Sequence, residues 1–270
     1  MKGSNCAEKI NEQLQNLIQP NKKSSMKKIF SVCILLVIAV STKAQTRFFN
    51  TIHVEFEKTI NVHAYYKELE PEWFDQIKSQ LPQTVINYYD FIGDQAKSIY
   101  KPGREGTVTK RGWYRPVADQ NVIYTDFKTG MAISQKPVFE ETFLVEDSLL
   151  NIEWRITSDM RMIAGYNCRK AVGILNDTIA IFAFYSDELL VNGGPESIQG
   201  LPGMILGVGI PRLHATWFAT KVEVYDVNMN AVTPATKGKK VDRKTMVEAI
   251  DKVLKTWGTY GSKMIINFLI

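Results

Sequence analysis

Alternation of side-chain character is the strongest constraint in this chain. In residues 51–65, Ile52, Val54, Phe56, Ile60, Val62 and Ala64 share one parity, and His53, Glu55, Glu57, Thr59, Asn61 and His63 between them are polar. Successive side chains of a strand point to opposite faces, so this pattern reads as a half-buried strand. Similar runs follow at 84–92 and 95–101 around Gly93-Asp94, and at 122–127 and 131–133 around Lys128-Thr129-Gly130. Others lie at 140–145, 152–156, 160–163, 165–173, 178–185 (turning at Asn176-Asp177) and 216–227. Helical spacing is confined to two places. Residues 70–80 start acidic and place Trp73, Ile77 and Leu81 four apart before Pro82. Residues 244–257 place Met246, Val247, Ile250, Val253, Leu254 and Trp257 three or four apart. The expected fold is mainly β, of the α+β class. It is a single curved antiparallel sheet or partly open barrel with one or two packed helices.

The first 44 residues read differently. Met26-Lys27-Lys28 precedes twelve apolar or small residues from Ile29 to Val40, then Ser41-Thr42-Lys43-Ala44. A charged start, a short apolar run and a small residue before Gln45 describe a secretory leader. Twelve residues fall short of the roughly 20 that a spanning helix needs. The expected organisation is an upstream extension over 1–25, a signal peptide over 26–44 cut after Ala44, and one β-rich domain over 45–270. Residues 1–25 are either a start placed too far upstream or a long n-region. Residues 1–44 hold seven Lys and two Glu of the chain's 33 basic and 28 acidic residues, leaving 26 of each beyond Ala44. A formally neutral body lacks the basic footprint of nucleic-acid binding. Export also leaves Cys168 as the one remaining thiol, so no disulfide forms within the mature chain.

Residues 193–211 contain six of the 17 Gly and three of the 10 Pro. That density encodes a specific backbone path. Leu201-Pro202-Gly203 suits a type II turn, with Pro presetting φ and Gly accepting φ > 0. The simplest reading is a structural turn. The functional reading is a ligand or partner site over Gly194, Pro195, Gly200, Leu201, Pro202 and Gly203, where exposed glycine N–H groups cradle an anion.

Gly200-Leu201-Pro202-Gly203-Met204-Ile205 resembles the signature of the GLPGLI family of exported Bacteroidetes proteins, with Met204 in place of the second Leu. The segment around Gly165-Tyr166-Asn167-Cys168, with Lys170-Ala171, resembles the family's Gly-Tyr-x-Cys-x-Lys-Ala. Phe184-Tyr185 is similar to its Trp-Tyr, and Gly194-Pro195 to its Gly-Pro. The match spans about residues 150–225. Relatives often carry an acidic residue after the signature, where Gly207-Val208-Gly209 stands here. The resemblance implies an exported envelope protein acting alongside outer-membrane systems, and implies no reaction. Asp147-Ser148-Leu149 and Asp177-Thr178-Ile179 also resemble the Asp-Ser/Thr-aliphatic sequon glycosylated in such proteins, making Ser148 and Thr178 candidate O-glycosylation sites.

No nucleophile elbow, zinc-protease motif, phosphate loop or dinucleotide fingerprint is present in the sequence. His53 and His63 would lie about 33 Å apart on one strand, too far to chelate together. No metal or cofactor is expected. Cys168 reads as a small core residue on a strand, or as a reactive thiol with its pKa lowered by Arg169 and Lys170. The favoured function is a non-catalytic binding or accessory protein with an outer-membrane or periplasmic partner. The alternatives are a hydrolase gathering Asp187, Glu188, Glu196 and His214, and a half-barrel carrier whose mark would be a large apolar cavity.

Overall fold

The alternating runs form one twelve-stranded sheet in the computed structural model, which describes residues 51–107, 114, 117–225 and 227–270. Its first strands are β1 (Thr51–Asn61), β2 (Thr84–Asp94), β3 (Lys97–Pro102), β4 (Val122–Asp126), β5 (Met131–Val138) and β6 (Glu141–Ser148). The rest are β7 (Glu153–Ile163), β8 (Tyr166–Leu175), β9 (Ile179–Ser186), β10 (Met204–Ile210), β11 (Ala215–Glu223) and β12 (Lys239–Val241). The spatial order is β12-β6-β5-β4-β3-β2-β1-β11-β10-β9-β8-β7, not closed into a barrel. Every neighbour pair is antiparallel except β12 on β6.

That parallel edge corrects the purely antiparallel expectation. The basic run Lys237–240, which reads as a solvated loop, enters the sheet through its backbone while Lys239 and Lys240 stay exposed. Gly238 makes the approach feasible: its φ is +132°, and a Cβ there would sit 2.9 Å from the Leu144 nitrogen.

The strand expected over 51–65 stops at Asn61. Its side chain accepts from the Ala64 N–H at 3.0 Å and caps α1 (Val62–Leu69). Val62 and Ala64 continue the parity of β1, but three-to-four spacing takes over with Val62, Tyr66 and Leu69 buried. The short helix within 70–80 is α2 (Phe74–Ile77), extended by a 3-10 turn, with Phe74 buried and Trp73 59% exposed, the reverse of the expected orientation. The runs 152–156 and 160–163 are one strand, β7, with a register shift between Ile156 and Met160. The C-terminal helix is α3 (Arg243–Lys255), capped by Asp242 accepting from the Thr245 N–H at 2.7 Å. Met246, Ile250 and Leu254 are buried, whereas Val253 and Trp257 are exposed. A further helix, α4 (Gly258–Met264), follows.

The main core joins the inward faces of β1, β2 and β8–β11, including Val54, Phe56, Phe91, Ile181, Val208 and Trp217. A second cluster holds α3 and α4 against β5 and β6 through Val138, Phe143, Met246, Leu254 and Met264. A third seats α1 on Val85 and Leu81.

Candidate functional site

Polar residues stand at inward positions on five successive strands. They are Lys58 on β1, Tyr89 on β2, Ser98 and Tyr100 on β3, Thr125 on β4, and Ser134 and Lys136 on β5, all buried. A buried polar stripe must find partners within the protein, because water no longer supplies them. The segment between β9 and β10 supplies the central one. Gly193 packs so closely that a Cβ would lie 2.8 Å from the Phe91 ring, and Glu196, at φ +54°, sends its carboxylate inside.

Lys58 Nζ donates to Glu196 Oε1 at 3.3 Å, with the two side chains 5% and 0% exposed. Trp217 is the cross-strand neighbour of Lys58, and the ammonium lies 4.8 Å from its ring centre and 5.6 Å from that of Tyr89. Asn121 Nδ2 donates to Glu196 Oε2 at 3.4 Å. Tyr89 and Tyr100 stack at 5.1 Å. Among the described residues Asn121 Oδ1 has no hydrogen-bond partner, and the Tyr100 hydroxyl lies between Trp217 Nε1 and the Glu196 carboxylate without a bond of normal geometry to either. Burial next to the Glu196 carboxylate holds the Tyr100 phenol well above its usual range. Lys136 donates to the carbonyl oxygens of Phe268, at 3.5 Å, and Ile270. Burial still pulls its pKa down to about 8.

Two cavities meet at the Lys58–Glu196 pair. On the Glu196 side is a chamber of about 30 Å3, bounded by Tyr100, Thr125, Ser134 and Lys136. It has room for about two water molecules. On the Lys58 side is a cavity of about 510 Å3. Lys58, Ile60, Ala215 and Trp217 form its sheet wall, and Tyr65, Tyr66, Tyr260 and Met264 its helical wall. Phe139 and Trp257, with ring centres 5.0 Å apart, also line it. Its volume falls within the range of small-molecule sites. The wall tyrosines are neutral donors: burial lifts Tyr65 to about 12 and raises Tyr66, Tyr114 and Tyr260. Asn267 Nδ2 donates to the Tyr65 hydroxyl at 3.0 Å. The arrangement can enclose a flat or flexible apolar body and offer a cation at its inner end.

The glycine-rich segment is a packing element more than an open rim. Gly194, Pro195, Leu201 and Gly203 are buried, while Gly200 and Pro202 are exposed. Its turn is tighter than type II. Gly203 N–H donates to the Leu201 carbonyl at 2.9 Å, and the Met204 N–H goes instead to Leu189. Gly203 has φ +143°, and a Cβ there would come within 2.2 Å of the Ser186 carbonyl oxygen. Cys168 is fully buried, and burial pushes its thiol up to about 11, away from the thiolate that redox chemistry uses. Ser148 ends β6 and Thr178 lies in the β8–β9 turn, both exposed. No hydrogen bond or ion pair among the described residues joins any two of Asp187, Glu188, Glu196 and His214. His214 pairs with Glu68 at 2.7 Å, and Glu188 accepts from the Asn167 N–H. His53 sits elsewhere, between Asp90 at 2.8 Å and Glu223 at 3.0 Å. The proposed leader over 26–44 lies outside the described residues. No described helix is long and apolar enough to cross a membrane, which says nothing of strands.

No family model matches the chain, and no curated protein matches it. Among solved structures it is similar to PNGF-II in two crystal forms. Identity is 16% in both, with TM-scores of 0.49 and 0.47 over 78% of this chain. The alignment covers 34% and 33% of those chains, so this chain spans about a third of PNGF-II. It is also similar to an uncharacterized conserved protein from Thermus thermophilus, at 5% identity and a TM-score of 0.36. That alignment covers 72% of this chain and 90% of the other.

Sequence reasoning missed Lys58, Asn121 and the wall tyrosines. A signal for Lys58 exists: it falls on the parity of Ile52, Val54, Phe56 and Ile60, a lone cation on an apolar face. The tyrosines come from α1, α4 and residue 114, segments without a clear pattern.

Proposed function

We propose that this protein is an exported binding protein of the cell envelope that holds an apolar ligand in the cavity between the sheet and helices α1 and α4. The cavity of about 510 Å3, walled by Tyr, Trp and Phe side chains, carries this reading. A sheet whose interior needed only to be filled would close over such a space, because interiors pack to near-crystal density. The leader-like segment and the resemblance of Gly200–205 to the GLPGLI signature support export. An outer-membrane or periplasmic protein would then deliver or receive the ligand. Intact mass and N-terminal sequencing of envelope fractions test export, with Gln45 as the expected first residue. Recovery solely as a cytoplasmic chain beginning at Met1 refutes it.

The binding test uses N-phenyl-1-naphthylamine, a neutral apolar fluorophore. Saturable enhancement at one site is expected for the native protein, and its loss in Ala215→Trp, which places an indole in the cavity. Absence of saturable binding by the native protein refutes the reading.

A further inference from the structure

Lys58 brings spare hydrogen-bond donors to the inner end of the large cavity. Lys58 carries three N–H groups, and its hydrogen bond among the described residues is the long one to Glu196. The Trp217 and Tyr89 ring faces attract the ammonium but offer it no lone pairs directed along an N–H. Trp217 is fully buried and lines the same cavity with its ring, while its Nε1 faces the Tyr100 hydroxyl. The Tyr100 hydroxyl lies between Trp217 and the Glu196 carboxylate on the side of the small chamber, so the spare donors that the cavity sees are those of Lys58. Against these stand the two Glu196 oxygens, one serving Lys58 and the other Asn121, and Asp119 elsewhere on the cavity wall. Unmatched buried donors are costly, and a ligand that brings acceptors recovers that cost on binding.

Resting on the cavity-binding reading, we propose that the ligand is an amphiphile with one anionic oxygen group, which docks against Lys58 while its apolar body lies among the wall aromatics. An ionised acid group is acceptor-only, so it takes several of these donors at once. An alcohol brings its own donor and satisfies fewer. Glu196 sits behind Lys58, facing the small chamber, so it holds the ammonium in place without occupying the cavity.

The test is competition against N-phenyl-1-naphthylamine by three ligands with the same alkyl chain, ending in carboxylate, phosphate or alcohol. The expected result is that at least one of the two acids displaces the probe about tenfold more tightly than the alcohol, the size of one charge-assisted hydrogen bond. Which acid is preferred distinguishes a carboxylate source from a phosphate source. The double variant Lys58→Met with Glu196→Gln, which strands no buried charge, is expected to lose the preference for acid, so that acids and alcohol displace the probe alike. Equal displacement by acids and alcohol overturns the proposal while leaving the cavity reading intact. So does an acid preference that survives in the double variant. If none of the three displaces the probe, the proposal is overturned, and if the probe itself fails to bind the native protein, the cavity reading falls with it.

Discussion

Removing one member of the Lys58–Glu196 pair should cost far more than removing both. Glu196→Gln leaves the Lys58 ammonium 5% exposed, without its ion-pair partner and against the faces of Trp217 and Tyr89. Breaking a buried ion pair from one side costs about 3–5 kcal/mol, because the orphaned charge keeps its desolvation penalty. Against a domain stability of about 5–15 kcal/mol this is a large fraction. The melting temperature should fall by roughly 6–20 °C in a domain of this size. Lys58→Met strands the Glu196 carboxylate and should cost a similar amount. The double variant replaces both charges and should lie within about 2 kcal/mol of the native protein. Urea unfolding of all four proteins, with m-values compared, completes the double-mutant cycle. The reasoning fails if either single variant loses less than about 1 kcal/mol, or if the two losses simply add.

Three further outcomes follow from the geometry. Gly203→Ala drives a Cβ into the Ser186 carbonyl and should cost more than about 3 kcal/mol or prevent folding. Gly209→Ala, whose Cβ would meet nothing closer than 3.9 Å, should change stability by less than about 1 kcal/mol, and thermal melts compare the two. His53 has its pKa raised chiefly by its hydrogen bond to Asp90, against opposing burial, with Glu223 adding to the rise. Its stabilisation is complete below its ordinary value of 6.5 and fades as pH climbs through the raised folded value. The stability advantage of native protein over His53→Gln should therefore shrink from pH 6 to pH 9 in urea titrations, and a constant gap would contradict this. Cys168, buried with its thiol near 11, should react with a disulfide reagent at pH 8 only as fast as the protein opens. Immediate labelling of folded protein would show the thiol to be accessible.

Much of the sheet was legible because a strand declares itself through neighbours in sequence. The hairpins at Lys128-Thr129-Gly130 and Asn176-Asp177 combine alternation with turn residues, and both form as read. Other elements were hidden for separate reasons. Helix α1 begins on residues that keep the parity of β1, so the cap at Asn61 is the only local sign of the change. Strand β12 is three residues long and polar, and it pairs through its backbone with a strand about a hundred residues earlier. Trp73 and Phe74 are adjacent aromatics at the start of a helical turn, and only the position of the core tells which one is buried.

The candidate site divides the same way. The local order of residues dictated that this chain makes strands, and that residues 193–211 follow a path requiring glycine. The crowding around Gly203 and Gly193 gives that requirement its cause. No local rule could place Glu196 against Lys58, 138 positions earlier, because Coulomb attraction and burial act through space. Nor could one set Tyr65, Tyr260 and Trp217 around a common cavity, since α1, α4 and β11 become neighbours only when the sheet and helices pack. Periodicity is a property of a segment. A cavity is a property of surfaces that meet, and it exists only once the core has decided which segments face one another.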